Sequence, residues 1–114
     1  MKRGTIVLTK FPFTDLRSSK RRPAVVVSRD NKSTIDFIVA FISSVIPAQL
    51  SDTDLSFDNY HKDFGKSGLI KASVIKLDKL ATLNKSIFSG EMGSLSSDTL
   101  KEIDKRLKIA LDLK

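Results

Sequence analysis

Apolar residues crowd into two short runs in the first half of the chain, Ala24 to Val27 and Phe37 to Ile42, neither interrupted by a polar side chain. Strands covered on both faces read this way, so the two runs are expected at the heart of the fold. The connection between them, Arg29 to Thr34, holds Asp30-Asn31, residues that tolerate turn geometry and cap their own backbone. An antiparallel hairpin follows. It brings Arg22, at the entrance of the first strand, to the same end as Ser43 and Ser44, at the exit of the second.

The flanking pattern predicts the other elements. Thr5 to Phe11 reads as a strand in which Val7, Thr9, Phe11 and Phe13 fall at period two, with Ile6 and Leu8 on the other face. From Pro12 to Lys20 the chain turns polar, a candidate loop over a site. Ser43 to Lys66 reads as a long irregular excursion with one edge strand around Leu55 to Phe57. In Ser67 to Leu83, Ile75 and Leu77 alternate with Lys76 and Asp78, and then Leu80 breaks the parity, which predicts a bulge or a corner. Ile87 and Phe88 open a last short strand before Gly90 and Gly93. A C-terminal helix is predicted with Ser96 or Ser97 as cap, Asp98 in its first turn, and Leu100, Ile103, Leu107, Ala110 and Leu111 on one face; Ile109 points away from it. Five or six strands and one terminal helix predict an α+β architecture, a small, strongly curved antiparallel barrel with a helical cap.

At 114 residues the chain has room for one compact domain, expected to span residues 1–114. Cysteine is absent, which excludes disulfides and thiolate metal sites and permits a reducing compartment. Lys2 and Arg3 precede an apolar patch, but Lys10 interrupts it and Pro12 follows with no small-residue cleavage site, so no secretory leader is expected. No span approaches membrane length. The expected location is cytoplasmic. Lysine and arginine number 20 against 13 acidic residues, a formal charge of +7, so the outer field attracts polyanions: nucleic acid or an acidic protein partner.

Several segments agree in order and spacing with a known family: Arg3-Gly4-Thr5-Ile6-Val7, Phe11-Pro12-Phe13-Thr14-Asp15-Leu16, Lys20-Arg21-Arg22-Pro23-Ala24-Val25-Val26-Val27, Ile38-Val39-Ala40-Phe41-Ile42-Ser43, Ser67-Gly68-Leu69, Ser73 to Asp78, and Gly93-Ser94-Leu95-Ser96. The chain resembles the MazF/PemK family of toxin endoribonucleases from type II toxin–antitoxin modules. The arginine-proline pair after a polar loop is the most specific element. The resemblance implies an SH3-like barrel with a C-terminal helix, a homodimer, and metal-independent, sequence-specific cleavage of single-stranded mRNA without a cofactor. It also implies inhibition by a cognate acidic antitoxin. Two positions depart from the family pattern. Thr5 stands where aspartate is usual, and Ser43 where threonine is common; serine keeps the hydroxyl and loses the methyl that fixes its rotamer.

Cutting RNA without a metal turns the ribose 2′-OH onto the neighbouring phosphorus, leaving 2′,3′-cyclic phosphate and 5′-hydroxyl ends. A group must take the 2′ proton, another must protonate the departing 5′ oxygen, and a third must stabilise charge on the phosphoryl oxygens. Arg22 suits the last task, because its planar fork matches phosphate and stays charged. Ser43 is the candidate hydroxyl donor to a nonbridging oxygen, with Ser44 as its alternate. Lys20 and Arg21 are expected to follow the RNA backbone. Phe13 and Tyr60 are candidate stacking surfaces for splayed bases. Thr14 and Asp15 belong to the phosphate-compatible loop, where Asp15 either orients Arg22, accepts a proton or caps a turn. His61 has the intrinsic pKa for proton transfer but lies outside the matched motifs. The alternative reading is a noncatalytic nucleic-acid-binding barrel, or a gyrase-poisoning toxin of the same fold.

Overall fold

The computed structural model describes residues 1–10, 20–30, 33 and 35–114. These form six strands: β1 (Thr5–Thr9), β2 (Arg22–Val26), β3 (Asp36–Ser43), β4 (Asp54–Phe57), β5 (Ser73–Asn84) and β6 (Phe88–Ser94). A short helix, α1 (Phe64–Ser67), lies between β4 and β5, a 3₁₀ turn (Lys85–Ile87) joins β5 to β6, and α2 (Ser97–Ala110) ends the fold. The strands make one antiparallel sheet in the order β4-β5-β3-β2-β1-β6. This is the expected α+β arrangement of a curved antiparallel sheet with a C-terminal helix.

The two apolar runs are buried on both faces. Val25, Val27, Ala40 and Ile42 join a core with Ile75, Leu77 and Ile103, while Ala24, Val26, Phe37 and Val39 join Val7 in a second cluster on the opposite side. The parity break in β5 is a corner. Ala40 faces Leu80 but Phe41 faces Lys76, so three residues of β5 have no counterpart on β3 and the strand bends there. Ile38, paired with Thr82 on the far side of that bend, is 41% exposed despite its place in an apolar run.

The stretch from 43 to 66 is more ordered than its pattern predicts. It contains β4 as the expected edge strand, and α1, which at four residues is too short to show a helical period. α1 brings the chain from β4, at one edge of the sheet, onto β6, at the other. The contact is backbone on backbone. A Cβ on Gly68, whose φ is +79°, would lie 2.2 Å from the Met92 carbonyl oxygen, and one on Gly93 would lie 2.1 Å from that of Lys66. Gly93 lets a second backbone approach, and β6 continues through both of its glycines, longer than expected, with register shifts against β1 between Ile6 and Val7 and between Leu8 and Thr9.

Helix α2 is capped from a distance. Ser96 stands at the N-cap, but its side chain makes no bond to its own helix. Instead the buried Asp63 carboxylate accepts from the Ser96 N–H at 2.8 Å, the Ser96 hydroxyl at 2.7 Å and the Thr99 hydroxyl at 2.5 Å. Burial alone would raise the Asp63 pKa; the Thr99 hydroxyl and the two Ser96 donors outweigh it and hold the carboxyl at about 2. Leu100, Ile103 and Leu107 pack on the core as predicted, and Ile109 is exposed. Leu111 is exposed rather than facing the core. The helix stops at Ala110, and Asp112, at φ 55°, closes a C-terminal motif in which Leu113 N–H donates to Lys108 O and Asp112 N–H to Ile109 O. Two arginines tie α2 down: Arg106 Nε donates to Asp54 O at 2.9 Å, while Arg3 donates to Val27 O and pairs with Asp104. Among the described residues no helix is long and apolar enough to cross a membrane.

Candidate functional site

Three neighbouring strands present their ends on one side of the molecule: the start of β2, the end of β3 and the start of β5. β2 pairs with β3 through Ala24 and Phe41, and β3 pairs with β5 through Ser43 and Val74. A cavity of about 330 Å³ opens among these ends. Lys20 to Pro23 line it on the β2 side, Ile42 and Ser44 at the end of β3, and Leu69 to Lys71 with Ser73 on the β5 side. Met92 of β6 completes the lining. Its apolar members include Ile42 and Leu69, both buried in the core.

The electrostatics are one-sided. Lys20, Arg21, Arg22 and Lys71 contribute four cations, and no carboxylate is among the described residues that line the cavity. Arg21 reaches the Ile87 carbonyl at 3.4 Å, a long bond that leaves most of its donors available. Arg22 is half-buried, and among the described residues its guanidinium makes no ion pair. Such a lining attracts an anion with several charged oxygens and leaves an apolar surface beside it.

Arg22, Lys20, Arg21 and Ser44 therefore come together in one cavity. Ser43 ends β3 at the same end of the sheet but does not line the cavity; its Oγ accepts from the Val45 N–H at 3.1 Å and faces the Val45 carbonyl at 3.3 Å. Phe13, Thr14 and Asp15 lie outside the described residues. Tyr60 is 95% exposed and takes no part in the lining. His61 also lies apart. Its ring packs on Phe57 with centroids 4.3 Å apart, and its Nδ1 accepts from the Asp63 N–H at 3.1 Å, so that nitrogen is occupied in the turn leading to α1. Lys71, Ser73 and Ile70 were not singled out by their sequence. The signal for them was strand order: once β5 pairs antiparallel with β3, the start of β5 must meet the end of β3. Among the described residues no group of three or more His, Asp or Glu side chains is placed to hold a metal ion.

Comparison with known proteins adds a family and a set of relatives. The family described as PemK-like, MazF-like toxin of type II toxin-antitoxin system matches residues 2–111. The Endoribonuclease MazF of Staphylococcus saprophyticus is 29% identical over 99% of this chain and 92% of its own length. Among solved structures, an endoribonuclease from a mycobacterial species in complex with its cognate antitoxin superposes with a TM-score of 0.76 at 18% identity, covering 100% of this chain and 97% of that one. The MazE-MazF structure (Form-II) from Deinococcus radiodurans superposes with a TM-score of 0.73 at 19% identity, over 100% of this chain and 97% of the other. At those identities the structural likeness is one of fold.

Proposed function

Since the chain belongs to the PemK-like, MazF-like toxins of type II toxin–antitoxin systems, we propose that it is an endoribonuclease that cuts single-stranded RNA at the cavity where β2, β3 and β5 end. The observation that supports this most directly is the lining itself: four cations from two sides, no carboxylate among the described members, and an apolar surface within reach. Phosphates and an unstacked base ask for that combination.

In this reading Arg22 faces the scissile phosphate and stabilises the charge that grows on its nonbridging oxygens as the 2′ oxygen attacks. The proline after it confines Arg22 to extended backbone, so the strand begins at the arginine itself. Ser43 and Ser44 offer hydroxyl donors beside the same oxygens. Ser44 lines the cavity, whereas the Ser43 hydroxyl faces the Val45 carbonyl at 3.3 Å and turns from it to meet the phosphate. Lys20 and Arg21 take flanking phosphates, and Phe13, Thr14 and Asp15, which precede them in the sequence, contact the same strand. The guanidinium of Arg22 and the neighbouring cations supply the charge stabilisation in this reading.

The acidic antitoxin competes for the same cations, and the active species is a pair of chains. Incubating the purified protein with a defined single-stranded transcript in a chelating buffer tests the reading. Fragments bearing 5′-hydroxyl and 2′,3′-cyclic phosphate ends are expected, suppressed by the cognate antitoxin, from a preparation whose light-scattering mass is that of two chains. Intact RNA that is merely retained in a salt-sensitive manner would indicate a binding barrel instead. Gyrase arrest with no RNA loss would indicate a protein poison.

A further inference from the structure

The cavity draws its cations unevenly. Lys20, Arg21 and Arg22 arrive together on the β2 side, whereas Lys71 comes alone from the segment that leads into β5. The end of β3 lies between the two sides, since β3 pairs with β2 along one edge and with β5 along the other. Lys71 is exposed, and among the described residues its ammonium has no ion-pair partner. Its backbone, by contrast, is held. The Ser73 hydroxyl donates to the Lys71 carbonyl at 2.9 Å, and the side chains two residues to either side, Leu69 and Ser73, are buried. A lysine on an anchored backbone with a free head is suited to a mobile, strongly hydrated anion rather than to a fixed bidentate contact.

A nucleic-acid strand repeats its negative charge at every nucleotide, so a strand whose reacting phosphate sits at Arg22 carries a neighbouring phosphate across the cavity. We propose that Lys71 receives that neighbouring phosphate, making the β5 side the second half of an RNA clamp. The inference rests on the reading of the cavity as the site of RNA cleavage. Lys71 then binds substrate and leaves the chemical step to the β2 side. Removing it raises KM and reduces the salt dependence of binding, while kcat stays within about twofold of its original value.

Two measurements on the full-length protein separate this inference from the nuclease reading. The first is equilibrium binding of a single-stranded RNA whose 2′ hydroxyls are methylated, which removes the nucleophile, titrated over a series of salt concentrations. Lys71→Met is expected to lower the slope of log affinity against log salt by about one contact and to weaken binding roughly tenfold at low salt. Lys71→Arg restores the slope. Lys108→Met, which removes an exposed cation on α2 outside the cavity, serves as the control for net charge alone. The second measurement is cleavage of the unmodified strand. A wild-type protein that binds but does not cut, with the slope lost in Lys71→Met, sinks the nuclease reading and keeps the phosphate contact. A protein that cuts, with Lys71→Met and Lys108→Met sharing one slope and one KM, overturns the clamp, as does a wild-type protein that binds no RNA.

Discussion

Arg22 and Ser43 are placed in different ways, although both stand at the same end of the sheet. The arginine is placed by the proline that follows it, a local rule visible in two letters of sequence. The serine is placed by the end of β3, and its hydroxyl closes a small turn onto Val45. That turn was not legible from the residues, because serine at a strand end carries the same letter whether it faces a ligand or its own backbone. If the Ser43 hydroxyl donates to the phosphate in the transition state, losing it removes one hydrogen bond to a charged oxygen, about 1.5 kcal/mol at the lower end of the range for such bonds. Ser43→Ala is therefore expected to slow cleavage on the order of tenfold. Ser43→Thr should cleave at least as fast as the natural protein, because the added methyl restricts the rotamer and keeps the acceptor for Val45. Single-turnover rates on one transcript check both, and an alanine variant as fast as the natural enzyme would confine the hydroxyl to the turn.

The elements were legible in proportion to their length and their apolar content. Both central strands, the corner in β5 and the face of α2 followed from periodicity, since burial there is decided by which residues repeat at two or at three and four. α1 was not, and neither was the long-range cap, because Asp63 precedes Ser96 by 33 residues and nothing local joins them. This carboxylate links the turn after β4 to the start of α2, and its pKa gives the link a pH signature. The folded value of about 2 lies below the ordinary 3.8. The stabilisation is thus complete above about pH 4 and is lost as pH falls toward 2, amounting to about 2 kcal/mol. Asp63→Asn is expected to lower the unfolding free energy by about that amount at pH 6 and to converge on the natural protein near pH 2. Urea titrations at the two pH values measure it; an equal gap at both would show that the carboxylate's charge contributes nothing.

At the scale of the whole molecule, the excess of lysine and arginine and the strand order act together. The formal charge of +7 announces a polyanionic partner, but only the fold gathers four of the cations around one cavity. Composition therefore sets the sign of the outer field, and topology sets where the cations meet. Three of the cavity's four lining cations stand in the tripeptide before Pro23, whose basic run is visible in the sequence. The fourth stands before β5, in a segment that becomes a neighbour only when the sheet closes its order through β3. The same topology places the apolar side chains of Ile42 and Leu69 beside the charges, the combination that the proposed binding of an unstacked strand uses. In the proposed reaction the guanidinium at the start of β2 carries the charge of RNA cleavage. The most direct test of that role is the rate at which Arg22→Ala cuts a defined single-stranded transcript in a chelating buffer, alongside circular dichroism of the same sample. The predicted result is a loss of roughly 100-fold to 1000-fold with the fold intact. A folded variant that cuts at the natural rate would contradict it.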